Sequence, residues 1–197
     1  MIDIVINESP IRHIGEYDAI LVPTNCYQTM RNGFQYEVSR KYPHVLEWNY
    51  RTKYGDPSKL GDILECKEEG KPLFVLMFTT FGYNFKGIER DYFDYDALEK
   101  CLKLVNILYE GRHLATTMIG CTSFEGNADK EMILDIVNKQ ITNLDLTMYD
   151  YRQEPGDTIR QREYTNSRKR LYEERKKVLR QKKLRSEERF SRNAETD

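Results

Sequence analysis

Two stretches of the chain place small, hydroxyl-bearing and amide side chains directly behind an apolar run. The first, Thr24-Asn25-Cys26-Tyr27-Gln28-Thr29-Met30-Arg31-Asn32-Gly33, follows the run that ends at Pro23. The second, Gly120-Cys121-Thr122-Ser123-Phe124-Glu125-Gly126-Asn127, follows the run that ends at Ile119. In open α/β sheets, ligands bind beyond the carboxyl ends of strands, where such loops meet helix N-termini. Small residues let the backbone approach a phosphate, and hydroxyl and N–H groups donate to it. Neither stretch has the P-loop pattern or GxGxxG, which argues against nucleotide sites of those two types. The same residues also make two ordinary βα turns, the second with Asn127 as a helix cap.

Other chemistry finds less support. Cys26, Cys66, Cys101 and Cys121 lie 40, 35 and 20 residues apart, with no CxxC or CxxH pair. That spacing favours neither structural zinc nor a disulfide framework, and apolar neighbours mark all four as reduced core residues. His13, His44 and His113 stand alone in sequence and read as structural or exposed, and no Gly-x-Ser-x-Gly elbow occurs. No metal or cofactor is expected. Tyr83, Tyr92 and Tyr95 could stack on a base or ribose, although packing is the commoner fate of tyrosine. Trp48, beside Tyr50 and Tyr54, reads as packing.

The elements that would carry the two loops follow from periodicity. Strands are expected at Met1–Ile6, Asp18–Pro23 (stopped by its proline), Gly61–Cys66, Pro72–Thr80 and Leu114–Gly120, with Pro72–Thr80 central. Phe34, Val38 and Tyr42 share one helical face, and Pro43 ends that helix. Leu98, Cys101, Leu102, Val105, Leu108 and Tyr109 form a second stripe. Met132, Ile133, Ile136, Val137, Ile141 and Leu144 form a third. The segment Phe81 to Asp94 has no period and reads as a loop. Strands alternating with helices predict an α/β domain with a largely parallel sheet over residues 1–149.

The charge of the 197-residue chain is −1, but it is unevenly placed. From Asp150 onward there are 15 basic and 10 acidic side chains, against 16 and 22 before it. Residues 150–197 are expected to form a basic helical or partly disordered tail behind the hinge signal Glu154-Pro155-Gly156-Asp157. Tyr164, Leu171 and Val178 supply one apolar position per heptad, too few for a coiled coil. Such a tail is a solvated face, a nucleic-acid contact, or a dock for an acidic protein. The longest apolar run, Leu73 to Phe78, is far short of the roughly 18 residues a membrane helix needs. With no secretory pattern at Met1-Ile2-Asp3-Ile4, a cytoplasmic location is expected.

Several of these residues resemble a known family. Ala19-Ile20-Leu21-Val22-Pro23-Thr24-Asn25 resembles the second-strand motif of macrodomains, whose final asparagine faces the distal ribose of ADP-ribose. Met30-Arg31-Asn32-Gly33-Phe34, leading into Ser39-Arg40-Lys41-Tyr42-Pro43, is similar to the branch that removes ADP-ribose from glutamate. Ile119-Gly120-Cys121 resembles the start of the family's phosphate loop. The likeness spans roughly residues 1–145. It implies a three-layer α/β/α sandwich with a mixed, largely parallel sheet, a C-terminal helical basic extension, and ADP-ribose or a derivative as ligand. Carried over by position, Asn25 would contact the distal ribose, and Gly33 would admit the diphosphate. Gly120, Cys121, Thr122 and Ser123 would line the second phosphate loop. Glu8 would accept from the adenine amino group, or else face solvent.

Departures from the family pattern bear on catalysis. Arg31 and Asn32 replace glycine and a small residue in the first loop, and Thr79-Thr80 stands where the glutamate-specific branch has Thr-Lys. The branch's catalytic Asp falls near Phe124, and the nearest carboxylate is Glu125. The implied reaction is hydrolysis of an ADP-ribosyl ester or ADP-ribose-1″-phosphate. Water would be positioned by Asn25 and the substrate's own phosphate, with Glu125 as base. The alternative is a catalytically inactive ADP-ribose-binding or scaffold module whose tail supplies the partner. A chain of this kind would suit a bacteriophage accessory protein.

Overall fold

Ala19–Asn25, strand β2, sends Ala19 and Leu21 into one apolar cluster and Ile20 and Val22 into another, so both its faces must be covered. A computed structural model, describing residues 1–31, 33–82, 93–120 and 128–150, places it inside a six-stranded sheet. The other strands are β1 (Ile2–Ile6), β3 (Ile63–Cys66), β4 (Phe74–Thr80), β5 (His113–Thr117) and β6 (Asp145–Asp150). Their order is β1-β6-β5-β2-β4-β3, with every neighbouring pair parallel except β3 and β4. All described residues belong to one compact unit, Met1–Arg152. The tail beyond Asp150 lies outside the described residues.

Helices cover both faces. On one, α3 (Tyr95–Leu108) and α4 (Lys130–Gln140) bury Leu98, Leu102, Val105, Ile133 and Val137 against Leu21, Val75, Met77, Leu146 and Met148. On the other, α1 (Gly33–Lys41), α2 (Pro43–Tyr50) and the 3-10 segment Pro10–Glu16 bury Val38, Val45 and Ile11 against Ile20, Val22, Phe74 and Leu76. The result is the three-layer α/β/α sandwich with a mixed, mostly parallel sheet. Cys26, Cys66 and Cys101 are free and buried, as expected of core thiols.

Several local expectations are corrected. Pro23 does not stop β2, which continues to Asn25. The N–H of Ile20 donates toward β4, to Leu73 O at 3.0 Å, so alternation turns position 23 toward β5, where pairing has already ended. No ladder bond is lost there. The third helical stripe stops at Gln140, and Leu144, Leu146 and Met148 instead alternate as β6. Pro43 ends α1 as expected but also opens α2 at its first position, with Tyr42 before it at φ −131° and ψ 75°, outside the helical region. Helix α4 is capped by Asp129, whose carboxylate accepts from Glu131 N and Met132 N, rather than by Asn127. Strand β4 is interior and wholly buried, but β2 and β5 take the middle of the sheet.

Asn49 on α2 is fully buried, and neither Nδ2 nor Oδ1 makes a hydrogen bond among the described residues. Leucine has the same side-chain branching without the desolvation cost. Asn49→Leu is therefore expected to stabilise the fold by about 1–2 kcal/mol. A urea midpoint at or below that of the parent would contradict this.

Candidate ligand site

Strands β2 and β5 pair only through Ala19–Leu114 and Ile20–Ala115, yet β2 runs on to Asn25 and β5 to Thr117. The chain leaving β2 enters α1 on one face of the sheet, and the chain leaving β5 enters α4 on the other. Two neighbouring parallel strands whose connections depart to opposite faces make a topological switch point, where a crevice opens at their carboxyl ends. Both loops singled out from sequence leave from this point.

Asn25 organises the first loop. Its Nδ2 donates to the carbonyl and to Oγ1 of Thr29, each at 2.8 Å, and its Oδ1 accepts from the N–H groups of Tyr27 at 2.9 Å and Thr29 at 3.4 Å. Gln28, at φ +60°, donates from Nε2 to the carbonyls of Thr52 and Tyr50. Tyr27 lies edge-on between Tyr54 and Phe81, with centroids 5.2 and 5.3 Å away. The loop is therefore pinned from both sides before it reaches exposed Arg31 and Gly33, which opens α1 at φ +55°.

The second loop is anchored at its ends. Gly120 is buried at φ +66°, and a Cβ there would stand 2.4 Å from the Phe93 ring. Its carbonyl accepts from Ala128 N at 2.9 Å, closing the stretch between them. Cys121, Thr122, Ser123 and Glu125 lie outside the described residues.

Glu8 sits past the end of β1, at the same edge of the sheet. Its Oε2 lies 2.5 Å from His13 Nε2, while His13 Nδ1 lies 2.9 Å from Glu16 Oε1. Hydrogen bonds from Glu16 and then Glu8 raise the His13 pKa. Ser9, next to Glu8, donates to Glu37 Oε2 of α1 at 3.0 Å, which ties this segment to the helix that Gly33 opens. The structure thus places Asn25 at the end of β2, Gly33 at the start of α1, Gly120 just past β5 and Glu8 just past β1.

Lys59 was not singled out from sequence. It is buried, donates from Nζ to Thr52 Oγ1 at 3.0 Å and lies over the Phe78 ring at 5.1 Å. Burial lowers its pKa, while Cys26 and Asp56 oppose that shift. Nothing in the surrounding Pro57-Ser58-Lys59 distinguishes this lysine from a surface one; only the tertiary fold buries it. Thr80, at the place of the branch's lysine, donates from Oγ1 to Thr24 O at 3.1 Å. Among the described residues no group of three or more His, Cys, Asp or Glu could hold a metal ion, and no helix is long and apolar enough to cross a membrane.

Two substitutions test the scaffold. Asn25→Ala removes the two donated and two accepted hydrogen bonds of the loop clasp and is expected to cost about 1–3 kcal/mol. Gly120→Ala forces a side chain into a positive-φ position against Phe93 and should cost at least about 1–3 kcal/mol. Urea denaturation of each variant measures both, and parent-like midpoints would refute the assignments.

No protein-family model matches the chain, and no curated protein matches it. Its structure does match solved ones. A Bacteroides thetaiotaomicron protein of unknown function superposes with a TM-score of 0.61 at 20% identity, over 76% of this chain and 98% of that one. The macrodomain of Mycobacterium tuberculosis DarG gives a TM-score of 0.53 at 17% identity, over 76% and 97%. Thermosipho africanus DarTG in complex with ADP-ribose gives 0.55 at 14% identity, over 71% of this chain and 40% of that one. At these identities the likeness concerns architecture, and it agrees with the strand order and the layers described above: the chain has the macrodomain fold.

Proposed function

We propose that the chain binds ADP-ribose or a derivative at the carboxyl ends of β2 and β5. The observation that carries this reading is the switch point flanked by the Asn25-clasped loop and by Gly120, on a fold shared with a protein solved in complex with ADP-ribose. The diphosphate would lie between the loop entering Gly33 and the one leaving Gly120, held mainly by backbone N–H groups and the N-terminus of α1. Arg31, exposed beside Gly33, adds a cation at the mouth. Asn25 would serve the distal ribose through the loop it shapes, since its own amide is already engaged.

A finer reading adds hydrolysis of an ADP-ribosyl ester or ADP-ribose-1″-phosphate, with Glu125 as base. The inactive-module reading draws support from Thr80, a neutral hydroxyl already bonded to Thr24 O at the position where a lysine assists the glutamate-specific branch. Calorimetric titration with ADP-ribose separates the cases first. Saturable binding is expected, weakened roughly tenfold or more by Gly33→Val, whose branched side chain must take a positive φ at the diphosphate. No binding at millimolar ligand would sink the proposal. Mass spectrometry of the ester and the 1″-phosphate then decides turnover: product that disappears in Glu125→Gln supports the hydrolase, and binding without product supports the module.

A further inference from the structure

Strand β1 closes one end of the sheet, and among the described residues only β6 pairs with it. Met1 O accepts from Leu146 N at 2.8 Å, and Asn7 N donates to Asp150 O at 2.9 Å. At both ends, then, odd-numbered residues turn their backbone groups toward β6. Backbone groups alternate sides along a strand, so Asp3 and Val5 share that side, and the N–H and C=O groups of Ile2, Ile4 and Ile6 point away from the sheet. An open row of this kind templates pairing with another strand unless the sequence blunts it. β1 has no lysine, no proline and an unbroken register with β6. The opposite edge differs. β3 is four residues long, and the Ile63 N–H is taken by the Asp62 carboxylate at 2.8 Å.

We propose that a second copy of the chain docks on this edge, β1 running antiparallel to its counterpart across a two-fold axis at Ile4. The inference is independent of the ligand proposed above. The strand's own pattern selects this partner, because a two-fold interface must be self-complementary. With Ile4 opposite Ile4, Ile2 stands opposite Ile6 and Asp3 opposite Val5. The outward groups of Ile2, Ile4 and Ile6 then meet one another as the closely spaced hydrogen-bonded pairs of an antiparallel ladder. A slip of one residue sets them against residues whose groups already face β6, and a slip of two leaves Ile2 or Ile6 unpaired. The side chains agree with that register. Directly opposed residues project to the same face, so the isoleucines, of which Ile4 and Ile6 are 46% and 44% exposed, join as one apolar strip. Asp3, the one charge in β1, meets Val5 rather than its own copy, so no like charges stand opposite. Any extended strand could take the hydrogen bonds, but a copy of this one also matches isoleucine at every outward position.

One strand pair makes a small interface, so the dimer should dissociate in the micromolar rather than the nanomolar range. Analytical ultracentrifugation of the full chain from about 1 to about 500 µM is expected to show a reversible monomer–dimer equilibrium. Ile4→Lys and Ile4→Glu each set like charges opposite one another across the axis, and each should raise the dissociation constant about tenfold or more. Because position 4 faces itself, an equimolar mixture of the two variants should form dimer again. Hydrogen exchange of the parent protein gives a reading that needs no variant. The amides of Ile2, Ile4 and Ile6 should slow as concentration rises, while those of Asp3 and Val5, already bonded to β6, change far less. A chain that is monomeric throughout this range would overturn the inference. So would a dimer that neither charged variant weakens, one that the mixture of folded variants does not restore, or one in which the Ile4 amide exchanges as fast as in the monomer.

Discussion

Two parallel strands that pair for two residues and then part leave backbone groups that must be satisfied elsewhere, and β2 and β5 meet that demand with side chains and with chemistry that removes it. Thr116 Oγ1 donates to Leu21 O at 3.1 Å, bridging the strands just past their last pair. Pro23 has no N–H to lose on the side where the ladder is absent. A buried group left unsatisfied at such a parting would cost on the order of 1–3 kcal/mol. The parting of β2 and β5 is thus built into the sheet, at the point where their connections leave to opposite faces.

An opening at a sheet centre is useful only if its rims hold their shape. On one rim Asn25 fastens the backbone of its own loop, while Gln28 reaches the carbonyls at the end of α2 and Tyr27 wedges between two aromatic rings. Gly55 lies against that tyrosine and donates to Cys26 O at 2.9 Å. On the other rim, the bond from Ala128 N to Gly120 O closes the loop base against Phe93. Ordering the Asn25 loop before any ligand arrives would reduce the entropy lost on binding.

The legible parts of the fold were those where one period acts alone. β2 and β4 are continuous apolar runs because both their faces are covered, and α3 keeps an unbroken stripe. β6 was hidden because Ile141 and Leu144 extend the helical spacing of α4, while Leu144, Leu146 and Met148 also satisfy a strand; the Ile141 backbone, at φ −93° and ψ 99°, ends the helix between the two patterns. α2 was missed because a proline that stops one helix can begin the next. Residue type and the preceding apolar runs single out the two loops that hold Asn25, Gly33 and Gly120, while the roles of these residues toward a ligand follow only from the family resemblance. The pairing of His13 with Glu8 and Glu16 was not legible, since the three carry no local signature and are assembled by the turn after β1 packing on Tyr149. Lys59 is likewise a product of tertiary burial.

The charge distribution has a consequence for an anionic ligand. Residues 1–149 are acidic by 22 to 16, which would repel a diphosphate at long range. The segment from Arg31 to Lys59, however, carries six basic and three acidic side chains, and it forms the α1 and α2 side of the switch point. The approach to the first loop is therefore locally positive within an acidic body. Lys59, although counted among these cations, is buried and donates to Thr52 Oγ1. Steering by exposed Arg31, Arg51 and Lys53 is screened by salt, whereas backbone donors at short range are not. Raising ionic strength should accordingly slow association far more than it speeds dissociation, the division of labour expected where cations gather the ligand and the backbone holds it.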